Sequence, residues 1–468
     1  MRGTGRLQLL LITVVELVIF LDTTVLNVAL PAIGQRFGLG EAGLGWVTNA
    51  YLLAFGGFML LGGRAADLYG PRRMFGVGLA VFTAASALAG FAGSPTVLIA
   101  ARALQGVGAA VVIPAQLALL TATFTDPAAR RRAFGVWTAM GAAGAAIGTA
   151  VGGPLTDVFG WPSIFLINLP VGVAALAGLV LLPGDSARSG GRLDIPGAVT
   201  GTVALLILGY GIGAWGDPDA RSLAAPLTIA GLLGVAAFLL IEARIPHPLL
   251  PLRLFHIRRV SGSAAVNTLV GAAHVPAFAL LALYLQNTQG YSPTLSGLAV
   301  LPVAVVNIVV SRTVIPYALE RLGSTGVLAG GLALQALALG WLARLPEHGD
   351  YPMDVLPAAV VFGIGLPAAF VGVTAPAVEA VAETDRGIAA GTVNTAQRVG
   401  SGLGVTAVLL LAQSVTDATH DHVQGLRAGF AASAALALLG CLLTLAILRM
   451  PRPNGDEAAM AVADRSAP

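Results

Sequence analysis

The sequence predicts an all-α integral membrane protein with fourteen membrane-spanning helices, and three observations indicate this. Only 10% of its 468 residues are charged, whereas soluble domains carry about 25%. Hydrophobic residues make up 56% of the chain, and its mean hydropathy is +0.84. Apolar runs of about 20 residues, the length that a helix needs to cross a bilayer, recur along the whole chain. These runs do not alternate apolar and polar residues, which argues against a membrane β-barrel.

The predicted spans fall into three groups along the chain. The apolar runs lie near residues 7–30, 45–66, 73–93, 95–120, 131–156, 161–183, 194–214, 224–243, 262–285, 295–318, 324–344, 354–376, 387–412 and 427–448. Polar stretches at 184–192 and 243–259 separate them into groups of six, two and six. The expected parts are a six-helix bundle at 1–183, a linker with two additional spans at 184–259, a second six-helix bundle at 260–449 and a disordered cytoplasmic tail at 450–468.

The distribution of arginine predicts which side of the membrane each connection faces. If the N-terminus is cytoplasmic, 19 of the 26 arginines fall in cytoplasmic segments and only 4 in the opposite segments. Cytoplasmic loops of membrane proteins carry an excess of Lys and Arg, and one miscounted span would destroy the asymmetry. The sequence therefore predicts a multi-pass protein of the cytoplasmic membrane with both termini in the cytoplasm.

Of the ionisable residues inside the predicted spans, where a charge is costly, three are candidates for proton coupling. Glu16 and Asp22 are in the first span and Arg102 is in the fourth. At 1.5 Å per residue, Asp22 lies about 12 Å and Arg102 about 10 Å from the non-cytoplasmic ends of their spans. We therefore expect these two side chains to interact. Ionisable residues at such depths are usually functional, so we interpret all three as proton-coupling residues.

Glu16 lies deeper than Asp22 and on a different face of the same helix. Its depth is about 21 Å by the same rise, and about 120° of helical rotation separates the two acids. Three roles stay open for Glu16: binding protons, attracting a cationic substrate, and pairing with Arg312 or Arg398.

Two glycine-containing segments predict helix surfaces that pack closely or move. The connection GGRAADLYGPRR at 62–73 places an acid before a glycine turn and two arginines after it. We group Gly63, Asp67, Gly70, Arg72 and Arg73 as one motif, in which the carboxylate can cap or face the positive end of a neighbouring helix. In the fifth span, glycines at every fourth position form one smooth helix face that permits close packing. This glycine motif consists of Gly144, Gly148, Gly152 and Gly153.

These segments occur in the order that is typical of a known family. The 62–73 stretch resembles the loop between spans 2 and 3 of the major facilitator superfamily. LIAARALQGVGAA at 98–110 resembles the span 4 motif, and GAAGAAIGTAVGGPL at 141–155 resembles the glycine-rich span 5 motif of the antiporters. LDTTVLNVALP at 21–31 is similar to the span 1 motif of the fourteen-span drug/proton antiporters. One departure is Thr149, which stands where the family usually has proline.

The resemblance implies the major facilitator fold and export of hydrophobic, in part cationic, drugs or antibiotics in exchange for protons. It also implies that the fifth span seals the two bundles on one side, and that Asp67 faces the start of span 13 in the outward-open state. A carboxyl group in a low-dielectric cavity favours its neutral form, so a proton and a cation can compete for it. The energy source would be the proton gradient, with no cofactor and no metal.

Polar residues elsewhere in the spans are candidates for the substrate cavity, although hydrogen bonding between helices is an equally good interpretation of each. The set consists of Asn27, Gln105, Asn168, Tyr284, Gln286, Asn307, Asn394 and Arg398. We expect a monomer in the lipid bilayer that binds small molecules and protons, is not an enzyme and does not bind nucleic acid. The alternatives are a proton-coupled transporter of one endogenous metabolite or lipid-like solute, and a lipid-handling or sensory membrane protein.

Overall fold

The computed structural model describes residues 3–185, 193–216, 220–245, 248–382 and 385–448. In these ranges, fourteen helices are long and apolar enough to cross a membrane, which confirms the predicted fold class. They are α1 (Gly5–Phe37), α2 (Gly43–Tyr69), α3 (Pro71–Gly90), α4 (Pro95–Thr123), α5 (Arg132–Phe159), α6 (Ser163–Leu181), α7 (Ile195–Gly216), α8 (Arg221–Glu242), α9 (Arg258–Thr288), α10 (Pro293–Thr313), α11 (Ile315–Leu342), α12 (Tyr351–Glu379), α13 (Arg386–Thr419) and α14 (His422–Ile447). Most of the linker stretch 184–192 and the expected tail at 450–468 lie outside the described residues.

Several helices depart from a straight α-helix. Helix α1 continues past Pro31 to Phe37, beyond the end of its apolar run. Helix α6 consists of two short α-helical segments and a final 3₁₀ turn. Helix α11 is divided at Gly323, whose φ of 68° is not helical. Gly70, between α2 and α3, has a φ of 96°. Both positions thus turn on a glycine with positive φ, a conformation that other residues rarely adopt.

The helix packing repeats between the two halves of the chain. In the first bundle, α1–α6, the closest pairs are α1–α5, α2–α4 and α3–α4. In the second bundle, α9–α14, the pairs α9–α13, α10–α12 and α11–α12 also pack extensively, and each follows its counterpart by eight helices. Helices α2 and α13 form one seam between the bundles, and α5 and α10 form the other. Such internal repeats are common in secondary transporters.

The two additional helices lie outside one of these seams. Helices α7 and α8 pack against each other, and α7 also packs against α2 and α13. The contacts are close, because a Cβ atom on Gly57 of α2 would lie 2.1 Å from Thr202 Oγ1 of α7. Helix α8 lies largely on the outside, because only 11% of the residues in its most apolar 18-residue stretch are buried. The additional pair therefore touches both bundles.

Among the described residues, one large cluster of buried apolar side chains spans both bundles at one end of the molecule. We call the side where α1 begins and α14 ends the terminal side, and the opposite side the distal side. The distal halves of both bundles share one cluster of buried apolar residues. The terminal halves form separate clusters, one mainly in the first bundle and two in the second. The two bundles are therefore packed against each other at the distal side.

Candidate functional site

A buried polar network surrounds Asp22 at the centre of the first bundle. Arg102 Nη1 of α4 donates to Asp22 Oδ2 at 2.7 Å, and both side chains are at most 1% exposed. Asn168 Nδ2 of α6 donates to Asp22 Oδ1 at 2.7 Å, and Gln105 Nε2 donates to the same atom at 3.1 Å. Ser86 Oγ of α3 accepts from Gln105 at 2.8 Å. Four helices therefore meet in the network around one carboxylate.

Arg102 is held in the network by several other contacts. Its Nε donates to the backbone oxygen of Val47 at 3.1 Å, and its Nη1 also donates to Gln105 Oε1 at 2.9 Å. The guanidinium lies over the Tyr51 ring, 4.4 Å from the ring centre. A buried guanidinium cannot lose its proton and needs such partners. The interaction of Asp22 with Arg102 agrees with the depth estimated from the sequence, while their role in proton coupling stays a prediction.

Glu16 occupies a different environment from Asp22, as their positions on α1 imply. Its side chain is 1% exposed, and its Oε2 accepts no hydrogen bond. The indole N–H of Trp137 on α5 donates to Gln116 Oε1 at 3.2 Å and also interacts with Glu16. The cation that acts on Glu16 is Arg398 of α13, in the second bundle. Glu16 therefore faces the seam between the bundles.

Arg398 lies against aromatic rings of the first bundle. Its guanidinium is 4.5 Å from the centre of the Phe55 ring on α2 and 6.0 Å from that of Phe20 on α1. Cation–π contacts of this kind stabilise a guanidinium that has lost water. The backbone brings the two helices together here, because a Cβ atom on Gly56 would lie 2.9 Å from Arg398 Cβ. Arg398 thus links the second bundle to α1 and α2.

The remaining cavity candidates are not gathered at one place. Gln105 and Asn168 belong to the Asp22 network inside the first bundle. Tyr284 donates to the backbone oxygen of Pro346 in a distal loop at 2.8 Å. Gln286 donates to the backbone oxygen of Val28 at 2.9 Å and so joins α9 to α1. The candidates that are partly exposed within the helices are Asn27, Gln286, Asn307, Asn394 and Arg398.

The glycine motif of α5 has two different partners. A Cβ atom on Gly144 would lie 2.2 Å from the Leu17 backbone oxygen, and Gly148 and Gly152 contact the same helix, α1, further along. Gly153 instead packs against α10, where a Cβ atom would lie 2.4 Å from Thr294 Cα. The three evenly spaced glycines therefore pack within the first bundle, and Gly153 makes the close approach to the second.

The connection between α2 and α3 is bound by an acid from another part of the chain, which the sequence did not indicate. The backbone N–H groups of Arg72 and Arg73 donate to the two carboxylate oxygens of Asp185 at 2.8 and 3.3 Å. Asp185, which follows α6, thereby caps the start of α3 and packs on Gly70. Gly62 contacts α4 closely, whereas Gly63 does not. No spacing in the sequence relates Asp185 to this loop, 113 residues earlier.

Comparisons with known proteins agree with this geometry. A sequence profile described as the Major Facilitator Superfamily matches residues 12–405. The chain belongs to the Major Facilitator Superfamily. It is 38% identical to the puromycin resistance protein pur8 of Streptomyces alboniger, over 94% of this chain and 90% of that protein. It is 37% identical to the cephamycin export protein CmcT of Amycolatopsis lactamdurans, over 88% of this chain and 86% of that protein.

Solved structures share the fold at low sequence identity. A bacterial homolog of the human lysosomal transporter Spinster, solved in an inward-facing and unoccupied conformation, superposes with a TM-score of 0.68. The match has 16% identity and covers 97% of this chain and all of that one. The membrane-spanning helices, the family and these relatives together show that this chain is a multi-pass membrane transporter rather than an enzyme.

Proposed function

We propose that the protein exports hydrophobic small molecules, cationic ones among them, from the cytoplasm in exchange for protons. The observation that supports this most is the placement of two buried carboxyl groups on α1, one inside the first bundle and one at the seam. Buried carboxyl groups in membrane transporters serve as proton relays. The relatives named for puromycin resistance and cephamycin export support antibiotics as the cargo class.

The orientation follows from the arginine distribution. The terminal side carries the excess of arginine and is assigned to the cytoplasm, which makes the distally closed arrangement inward-facing. Cargo reaches the seam from the cytoplasm, a proton leaves the carboxyl group as cargo binds, and the loaded protein reopens on the other side. The gradient of protons is the energy source, and a monomer contains every element of this cycle.

Transport by inside-out membrane vesicles tests the proposal. Vesicles are loaded with an acidic lumen, and ethidium or puromycin is added outside. We expect accumulation of the cargo that stops when nigericin collapses the pH gradient. Vesicles without the protein give the background. Accumulation that is the same with and without the gradient would reject antiport.

A second candidate function is export of one specific metabolite, since each of the two relatives is named for a single antibiotic class. A panel of chemically unrelated cargo molecules separates the two functions. A multidrug exporter transports ethidium, puromycin and lincomycin, whereas a dedicated exporter transports at most one of them.

A further inference from the structure

The two buried acids of α1 differ in how their oxygen atoms are partnered. Asp22 accepts three side-chain hydrogen bonds, from Arg102, Asn168 and Gln105, at 2.7, 2.7 and 3.1 Å. Its exposure is 0%. Binding a proton or a cargo molecule at this carboxylate would break the network of hydrogen bonds that holds it. Asp22 is therefore poorly placed to exchange ligands in each transport cycle.

Glu16 has unused hydrogen-bonding capacity instead. Its Oε2 accepts no hydrogen bond although it is buried, and a buried unpartnered oxygen is costly unless it is protonated or bound by a ligand. Gln116, the nearby amide on α4, is already occupied, because its Nε2 donates to the Ile12 backbone oxygen at 2.9 Å. Gly141 of α5 lies directly beside the carboxylate, since a Cβ atom there would lie 3.5 Å from Glu16 Oε1.

The groups that face Glu16 come from both bundles. Trp137 and Gly141 of α5 contact it from its own bundle. Arg398 of α13 is the charged group that acts on it from the second bundle. Among the described residues, no carboxylate oxygen lies within 4.0 Å of an Arg398 nitrogen. Glu16 and Arg398 thus attract each other across the seam without contact, so relative movement of the bundles changes their interaction.

We propose that Glu16 is the residue at which proton and cargo meet, and that Asp22 is a positioning residue that holds α1, α4 and α6 together. This inference rests on the proposed function. The ligand that fits is a cargo molecule with a protonated amine and an aromatic part. The amine binds the Glu16 carboxylate, and the aromatic part packs beside Trp137, Phe20 and Phe55.

The exchange is balanced in protons and charge. In the cargo-free state Glu16 holds one proton as a neutral carboxylic acid. Binding of the cationic cargo releases that proton to water, and the carboxylate pairs with the ammonium group. Because one oxygen pair cannot hold both ligands, proton and cargo exclude each other, as antiport requires. Glu16 carries no net charge towards Arg398 when it is protonated or paired with cargo, and only the free carboxylate between these states attracts Arg398. Ligand exchange is thereby coupled to the positions of the bundles.

Proton release by the purified protein tests this assignment. Full-length protein in detergent, in weakly buffered solution with a pH indicator dye, is mixed with puromycin. We expect about one proton released per bound cargo in the wild type and loss of this release in Glu16→Gln. Glu16→Asp restores a carboxyl group and should restore release. Glu347→Gln, at an exposed acid in a distal loop, is the matched control and should behave as the wild type.

Asp22→Asn tests the positioning role of Asp22 and should behave differently from Glu16→Gln. We expect a lower melting temperature, because an amide cannot accept all the hydrogen bonds of the network, with release of the proton retained by the folded protein. Retained release in Glu16→Gln, or loss of release in folded Asp22→Asn, would overturn the assignment. An absence of release in the wild type, with puromycin binding confirmed, would instead reject the proposed antiport. The two failures are therefore distinguishable.

Discussion

The two bundles share their helix packing but differ in the polar groups at their centres. The first bundle holds the ion pair of Asp22 and Arg102. The second holds a neutral pair, in which His274 of α9 hydrogen-bonds to Gln335 of α11. Phe362 and Phe370 pack against the His274 ring, with ring centres 5.4 and 5.9 Å away. The same architecture thus accommodates either a charged or a neutral pair.

This difference indicates where the charge chemistry of the protein lies. The ion pair is inside one bundle, so a relative movement of the two bundles does not break it. The second bundle contributes its charge at the seam, through Arg398. We infer that the first bundle maintains a fixed charged centre, while the seam between the bundles is where charges meet and separate. The following variants test this comparison.

Charge reversal at the ion pair should have the largest effect. Arg102→Glu places a second carboxylate beside Asp22 and removes its cation. Breaking a buried ion pair from one side costs about 3–5 kcal/mol, so we expect loss of transport and a large decrease in melting temperature. Arg102→Lys keeps the charge but loses the donor to Val47, and should be intermediate. Full transport by the Arg102→Glu protein would contradict a fixed charged centre.

A side chain on the α5 glycine face should have the next largest effect. Gly144→Val would force α1 and α5 apart, because the nearest atom is the Leu17 backbone oxygen. Overpacking of this kind costs about 1–3 kcal/mol, and we expect reduced transport and a lower melting temperature. Gly135→Ala is the control on the same helix, because a Cβ atom there has no other atom within 4 Å. Equal behaviour of the two variants would show that the face is not tightly packed.

The neutral pair of the second bundle should tolerate replacement when both partners are changed. His274→Leu alone leaves the Gln335 amide buried without its partner, which costs about 1–3 kcal/mol. The double variant His274→Leu, Gln335→Leu removes both polar groups and should recover most of the melting temperature. Export of ethidium should persist in the double variant. Loss of export there, with normal folding, would place His274 in the transport chemistry and remove the contrast between the bundles.

The smallest effect is expected at the cap of α3. Asp185→Ala removes the acceptor for the N–H groups of Arg72 and Arg73. Loss of an N-terminal cap typically costs about 1 kcal/mol, and the side chain is exposed, so in a chain of 468 residues the melting temperature should fall by about 1 °C. Asp126→Ala is a comparable control, because Asp126 accepts from the Ala129 N–H at the start of the helical segment that leads into α5. A severe loss of transport without loss of stability would indicate a role beyond capping.

The sequence predicted the fold well because its signals are local. The lengths of the apolar runs predicted all fourteen helices, and the distribution of arginine between the two sides agreed with that number. The ends were less certain, because residues beyond an apolar run can continue the helix, as α1 does past Pro31. The break in α11 was not predictable, because glycine allows the backbone conformation of Gly323 but does not require it.

The site was predictable only in part. The interaction of Asp22 with Arg102 could be predicted, because the two residues lie at similar depths in their spans and a charge in the membrane needs a partner. Ser86 is neutral and common in spans, so nothing distinguished it from residues that face lipid. Gln105 and Asn168 were assigned to a cavity, and only the packing of four helices shows that they surround Asp22. Asp185 appeared to be part of a linker, since its partners are far away in the chain.

The helices α7 and α8 make the two flanks of the molecule unequal. They stand between the lipid and the α2–α13 seam, whereas no described helix packs outside α5 and α10 in the same way. A hydrophobic compound that diffuses in the plane of the bilayer therefore meets a seam covered by α7 and α8 on one flank and an uncovered seam on the other. Direct access from the lipid to the space between the bundles is therefore easier at the α5–α10 seam than at the α2–α13 seam.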